Sequence, residues 1–203
     1  MLKNRLRFTV LSSILTMLVQ LASSSMLHAE EGEQMLLRFD KPEAAKQWRT
    51  INDNVMGGVS EGKSRITEEK TLEFYGNLSL ENNGGFASVR SQTVTLDLDK
   101  HEGVVLRVRA DGRSFYCNLH VPTSMPAFSY RAKFDTKKEQ WQEVCIPWKE
   151  FLATAFGKEL ESKSSLDPSK VNAIGFLIAD KKAGPFRLEV EWIKGIPKAT
   201  KKK

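Results

Sequence analysis

The sequence predicts an all-β sandwich, and three observations carry that expectation. Apolar and polar residues alternate with period two along most of the chain, turn-forming pairs interrupt the alternation at short intervals, and helix signals are confined to one short segment. In Val104-Val105-Leu106-Arg107-Val108-Arg109 one face is apolar and the other ends in two arginines. Phe186, Leu188, Val190 and Trp192 alternate with Arg187, Glu189 and Glu191 in the same way. Strands of this kind bury one face and offer the other to solvent.

Taken in order, strands are expected at 35–39, 59–66, 72–80, 86–94, 104–109, 114–121, 127–134, 140–146, 171–179 and 186–192. Asn83-Gly84, Asp111-Gly112, Asp135-Thr136 and Asp167-Pro168 are the turn signals between them. The single helix candidate is 42–48, where Pro42 and Glu43 suit a helix N-terminus. Residues 153–170 are polar and poorly periodic, so one long surface loop is expected after Phe151. Trp48, Trp141, Trp148 and Trp192 stand in apolar contexts and are expected in the core.

The ends differ from the body. Lys3, Arg5 and Arg7 precede an apolar run from Phe8 to Ala22, which reads as a signal peptide over 1–29 with cleavage after Ala29. Its continuous apolarity favours export to the periplasm or medium over the amphipathic pattern of a mitochondrial transit peptide, the alternative. Leu27 is not the usual small residue before a cut, so an uncleaved, membrane-associated form stays open. A single domain over 30–197 and a Lys-rich disordered tail over 198–203 follow. The net charge of +6 comes mostly from these ends, and the body between them is close to neutral. No nucleic-acid partner is expected, and membrane contact is expected only through an uncleaved leader or the tail. The protein is expected to be a monomer. Cys117 and Cys145 are the only cysteines. Alternation turns Cys117 inward with Phe115 and Leu119 and turns Cys145 away from Val144 and Ile146, which argues for two separate thiols over a disulfide.

Catalytic and metal motifs are weak. Gly58-Val59-Ser60-Glu61-Gly62 has the spacing of a nucleophile elbow, yet it lacks the buried strand before the serine and the helix after it. Ser60 reads better as a brace in a turn. No Cys-x-x-Cys, His-x-x-x-His or calcium loop is present, so no metal and no cofactor are expected.

Two loops and one sheet face are the candidate binding surfaces. Asn52, Asp53, Asn54, Met56, Gly57, Gly58 and Ser60 form the first loop, and Asn82, Asn83, Gly84, Gly85 and Phe86 form the second. In each, Asx side chains precede a glycine pair, a recipe for a shaped loop held by side-chain-to-backbone bonds. The two loops are expected to lie side by side. Met56 on a polar tip suits an adaptable partner surface. On the sheet face, alternation points Arg107 and Arg109, then Tyr116, Asn118 and His120, then Ser129, Arg131 and Lys133 to one side of adjacent strands, with Arg90 beside them. Such a face is either solvated or binds sugar hydroxyls, a carboxylate or a peptide.

At these loops the chain resembles the complex I intermediate-associated protein 30 family, whose recurring features include Asn-Asp-x-Val-Met-Gly-Gly-x-Ser and Asn-x-Gly-Gly-Phe-x-Ser-x-Arg. Collinear family-like blocks follow at 107–113, 141–147, 174–181 and from Gly184-Pro185-Phe186 to Trp192-Ile193. The resemblance implies a jelly-roll β-sandwich like galactose-binding and carbohydrate-binding domains, no catalytic residues, and a role as an assembly or chaperone-like factor with a protein client. A carbohydrate-binding module is the alternative, and the likeness to such sandwiches leaves a structural calcium using Asp40 or Asp180 open.

Overall fold

The computed structural model describes residues 34–161 and 165–198. The expected signal peptide and the tail beyond Lys198 lie outside the described residues. Among these residues, thirteen strands form two antiparallel sheets: β1 (Gln34–Arg38), β2 (Trp48–Asn52), β3 (Glu61–Ile66), β4 (Leu72–Leu78), β5 (Ala87–Ser91), β6 (His101–Ala110), β7 (Ser114–His120), β8 (Phe128–Asp135), β9 (Gln142–Pro147), β10 (Leu152–Ala155), β11 (Lys158–Glu159), β12 (Ala173–Ile178) and β13 (Gly184–Pro197). The six-stranded sheet runs β3-β4-β13-β6-β9, with β1 also paired to β13, and the seven-stranded sheet runs β11-β10-β8-β7-β12-β5-β2. The fold is the antiparallel β-sandwich that the alternation predicts.

Inward-facing residues of both sheets make the core. Phe74, Leu106, Val108, Leu188 and Val190 of the six-stranded sheet meet Val89, Phe115, Leu119, Phe176 and Ile178 of the other, all essentially without solvent contact. Full burial of each large side chain stabilises the fold by roughly 1.5–3 kcal/mol, so the period-two pattern is the main determinant of which face packs. Cys117 belongs to this core and Cys145 is exposed on the opposite sheet, and the two thiols are free. Burial pushes the Cys117 thiol well above its ordinary range.

The structure corrects several local expectations. Pro42–Gln47 is a 3-10 segment, and Trp48 opens β2, a strand that the helix expectation displaced. The segment expected as one loop after Phe151 contains the β10–β11 hairpin, paired to β8. A register shift between Val190 and Trp192 in β13 turns Trp192 outward, where Lys194 lies over its ring, and sends Ile193 into the core instead. A bulge of this kind reverses the side-chain alternation beyond it. Trp141 is also outside the core, stacked beneath Arg109 and Arg107 at 4.7 and 5.8 Å. Trp48 and Trp148 pack against the core as expected.

The corner between β6 and β7 decides where the arginines go. Asp111-Gly112 is not a hairpin turn; it carries the chain from the six-stranded sheet to the seven-stranded one. Gly112 has φ of 91°, a left-handed conformation that favours glycine. Arg113 secures the corner through Asp180 at 2.6 and 2.9 Å and through the carbonyls of Gly184 and Pro185. Arg107 and Arg109 therefore lie on a different sheet from Tyr116, Asn118, His120 and Arg131, contrary to the expectation of one shared face.

Candidate functional site

The two Asn/Gly loops meet around one carboxylate. The 3-10 segment Asp53–Met56 is closed by Gly57 at φ of 90°, and Gly58 N–H returns to the Asp53 carbonyl at 3.0 Å. Asp53 itself is fully buried. Its Oδ1 accepts from Ser60 N at 2.9 Å, and its Oδ2 accepts from Ser60 Oγ at 2.6 Å, Gly85 N at 2.7 Å and Phe86 N at 3.3 Å. Burial alone would raise the Asp53 pKa, but the bonds from Ser60, Gly85 and Phe86 outweigh it and hold the carboxyl below its ordinary value. Ser60 Oγ also accepts from Ser79 N at 3.0 Å, which ties in the chain end leaving β4. The expected adjacency of the loops is present, and Ser60 is a buried brace.

The glycines of both motifs follow from this geometry. A Cβ on Gly58 would stand 2.4 Å from Asp53 Cγ, and one on Gly84 would stand 2.6 Å from Asp53 Oδ2. Asn82 and Asn83 are exposed and hold φ of 53° and 59°, so their contribution is a left-handed backbone rather than donors to the carboxylate. Asn52 Nδ2 donates to Gly62 O at 3.2 Å, and Asn54 offers its carbonyl to Gly57 N at 3.1 Å.

Around this saturated centre four apolar side chains stand exposed among Asn54, Glu81, Asn82 and Asn83. Val55, Met56, Val59 and Leu80 are 70%, 61%, 49% and 46% exposed, and a Cβ on Gly85 would touch Leu80 Cδ2 at 3.4 Å. Sequence reasoning singled out Met56 alone; the signal for Val55 and Val59 was their place beside it in an otherwise polar loop, and Leu80 was read as the end of a strand. Surface aliphatics are ordinary one at a time, whereas four on one rigid loop end suit a partner surface.

The outer face of the seven-stranded sheet is built differently. Its cross-strand register places Arg49 opposite Arg90, Arg90 opposite Gly175, Gly175 opposite Asn118, Asn118 opposite Arg131 and Arg131 opposite Leu152, one row across six strands. Tyr116 and His120 flank Asn118 on β7. Arg131 lies over the Tyr116 ring at 5.4 Å. Burial lowers the pKa of Arg90, with Arg49 adding repulsion, and burial lowers that of Arg131 as well. His120 is pushed down to about 4 by burial and then by Arg90, against a backbone bond to Phe128, with Arg49 and Arg131 adding to the fall. Arg49 was not anticipated, because β2 was not.

The corresponding face of the six-stranded sheet is neutralised. Arg109 reaches Glu189 at 2.9 Å and Glu69 at 3.1 Å, Arg187 reaches Glu73 at 3.0 Å as well as Glu189, Arg65 pairs with Glu73, and Arg107 lies 3.3 Å from Glu191. Arg109 is thus a member of an ion-pair network and not of the arginine row. Asp180, named above for calcium, is engaged by Arg113, which outweighs burial and lowers its pKa. Among the described residues, no three His, Cys, Asp or Glu side chains are grouped as a metal site would require.

Comparison with known structures places this architecture in a class. It is similar to the family 11 carbohydrate-binding module of Clostridium thermocellum in complex with a mixed-linked tetrasaccharide, at 17% identity and a TM-score of 0.62 over 82% of this chain and 96% of that one. A second structure of a family 11 module from a Clostridium thermocellum cellulosomal cellulase gives 16% identity and 0.63 over 82% and 95%. At such identities the likeness concerns the fold alone. The chain belongs to the complex I intermediate-associated protein 30 family, whose model matches residues 37–190. Relatives include the mitochondrial complex I intermediate-associated protein 30 of Neurospora crassa, 35% identical over 96 residues covering 47% of this chain and 34% of that protein. The mouse protein of the same name is 27% identical over 184 residues, covering 80% and 56%. This chain therefore spans between a third and somewhat more than half of the length of those two relatives.

Proposed function

We propose that the chain is a non-catalytic binding module that holds a protein client during assembly of a larger complex, and that it does so through the apolar loop end. The observation that carries the reading is the pairing of four exposed apolar side chains, Val55, Met56, Val59 and Leu80, with the hydrogen-bonded Asp53 centre beneath them. A preorganised apolar tip loses little conformational entropy on docking, and a thioether adapts to an uneven partner. Relatives named for an association with complex I intermediates support a protein client. A neutral-sugar platform has less support, because the Tyr116 ring that would stack on a sugar is covered by Arg131.

Affinity capture from the native host with the parent chain and with Met56→Asp tests the reading. A client recovered with the parent and lost with the variant, at unchanged melting temperature, supports it. Equal recovery by both overturns it. For the compartment, the apolar leader supports export while the relatives' names support mitochondria. N-terminal sequencing of the fractionated protein separates the two: a mature start near Glu30 in an envelope or secreted fraction carries export, and a mitochondrial location carries the alternative.

A further inference from the structure

We propose that the outer face of the seven-stranded sheet is a ligand site for an oxyanion, a carboxylate or phosphate group, seated over Gly175 between Arg90 and Arg131. This surface is distinct from the loop end, and its occupation does not depend on the client reading.

The first argument is charge without compensation. Among the described residues no carboxylate lies within ion-pair distance of Arg49, Arg90 or Arg131, although Arg65, Arg107, Arg109 and Arg187 of the opposite sheet each have one or more. Asp135, at the end of the strand that carries Arg131, is occupied by Lys133 at 3.7 Å and by Ser114 at 2.5 Å. A fold that neutralises one face so thoroughly leaves the other with an unbalanced cationic field.

The second argument is orphaned buried polarity. Arg90 Nε, Arg131 Nε, Asn118 Oδ1 and His120 Nδ1 are all buried from solvent and lack a hydrogen-bond partner. Buried polar atoms are nearly always paired, so four in one patch mark a place where the missing partner is a ligand. An oxyanion satisfies both guanidinium groups by charge-assisted bonds, and a half-turn of the Asn118 amide presents Nδ2 in place of Oδ1.

The third argument is shape. Arg90 and Arg131 stand three strands apart in one row, roughly 14 Å between backbones at a strand spacing of about 4.8 Å. Gly175 sits between them with no side chain and is buried, and a Cβ there would stand 2.5 Å from Val89 O of the neighbouring strand β5, so the close approach of that strand demands the glycine. Beside Arg90 the surface forms a depression lined by Arg49, Ser91, Gln92 and Thr93. Arg131 is held in place by its stacking on Tyr116, which spends no rotamer entropy at the moment of binding.

Titration calorimetry of the full chain with inorganic phosphate, glucuronate and glucose at low ionic strength tests the assignment. Saturable binding of phosphate or glucuronate, with glucose inert, is the expected result, and the tighter of the two anions identifies tetrahedral or planar chemistry. Arg90→Gln and Arg131→Gln should each weaken that binding about tenfold or more, while Arg109→Gln and Met56→Asp leave it unchanged. Backbone amide shifts of Gly175 and Asn118 in the parent provide a readout that needs no variant to fold. Failure of both anions to bind, binding of glucose as tight as that of glucuronate, parent-like affinity in Arg90→Gln and Arg131→Gln, or anion-induced shifts that avoid Gly175 and Asn118 would each overturn the site.

Discussion

The Asp53 centre and the arginine row carry polar groups withdrawn from water, yet one is saturated and the other is not. Asp53 receives four hydrogen bonds from two loops. Arg90 and Arg131 leave their Nε atoms without partners. The difference separates two uses of buried polarity: the saturated group belongs to the fold, and its loss should be felt as stability; the unsaturated groups are the proposed ligand seat, and their loss should be felt as binding.

The largest effect is expected at the saturated group. Asp53→Ala strands the amides of Ser60, Gly85 and Phe86 and frees Ser60 Oγ, so it should cost about 3 kcal/mol or more in urea unfolding. Because the folded pKa of Asp53 lies below its ordinary value, its contribution is fully present above pH 4 and is lost as pH falls through the folded pKa. Acid unfolding of the parent should therefore be steeper than that of Asp53→Asn. A loss under about 1 kcal/mol for Asp53→Ala would erase the contrast between the two regions.

His120 sharpens the comparison from the other side. Its folded pKa of about 4 lies below its ordinary 6.5, so the unfolded chain binds the extra proton between these values. Stability should be complete above pH 6.5 and fall by up to about 3 kcal/mol as pH drops to 4, and His120→Gln should flatten this decline. Parallel pH profiles for parent and variant would show that His120 is not held neutral. Next in size, Ser60→Ala should cost roughly 1–2 kcal/mol, since it removes one of four bonds to Asp53 and the acceptor of Ser79 N. Serine-directed probes should leave Ser60 unlabelled. Smallest of all, Met56→Ala should leave the melting temperature within experimental scatter, because its side chain is 61% exposed.

The sandwich was legible in the sequence wherever alternation was unbroken, as in β6, β7 and the first half of β13. It failed where local rules were overridden. Trp192 reads as core until the bulge after Val190 turns it out, and a bulge leaves no mark in the hydrophobic pattern. Asp111-Gly112 reads equally as a hairpin or as a corner between sheets, so Arg109 was placed on the wrong face. Within 153–170, read as one polar loop, the short run Ala153-Thr154-Ala155 carries no large alternating side chains, yet Leu152–Glu159 pairs as an edge hairpin. Of the candidate surfaces, the Asp53 centre was visible because its glycines and Asx residues have backbone reasons. The rim was visible only at Met56, and Arg49 was hidden in an unrecognised strand. Whether an arginine has a carboxylate beside it is a fact of tertiary register, which no local pattern encodes.

Photocrosslinking in the native host tests the central claim, that the loop end is where a protein client docks, most directly. A photoreactive residue is introduced either in place of Met56 or in place of Arg187 on the neutralised face. The account expects a discrete protein adduct from position 56 and none from position 187. Equal adducts from both positions, or an adduct from position 187 alone, would contradict it.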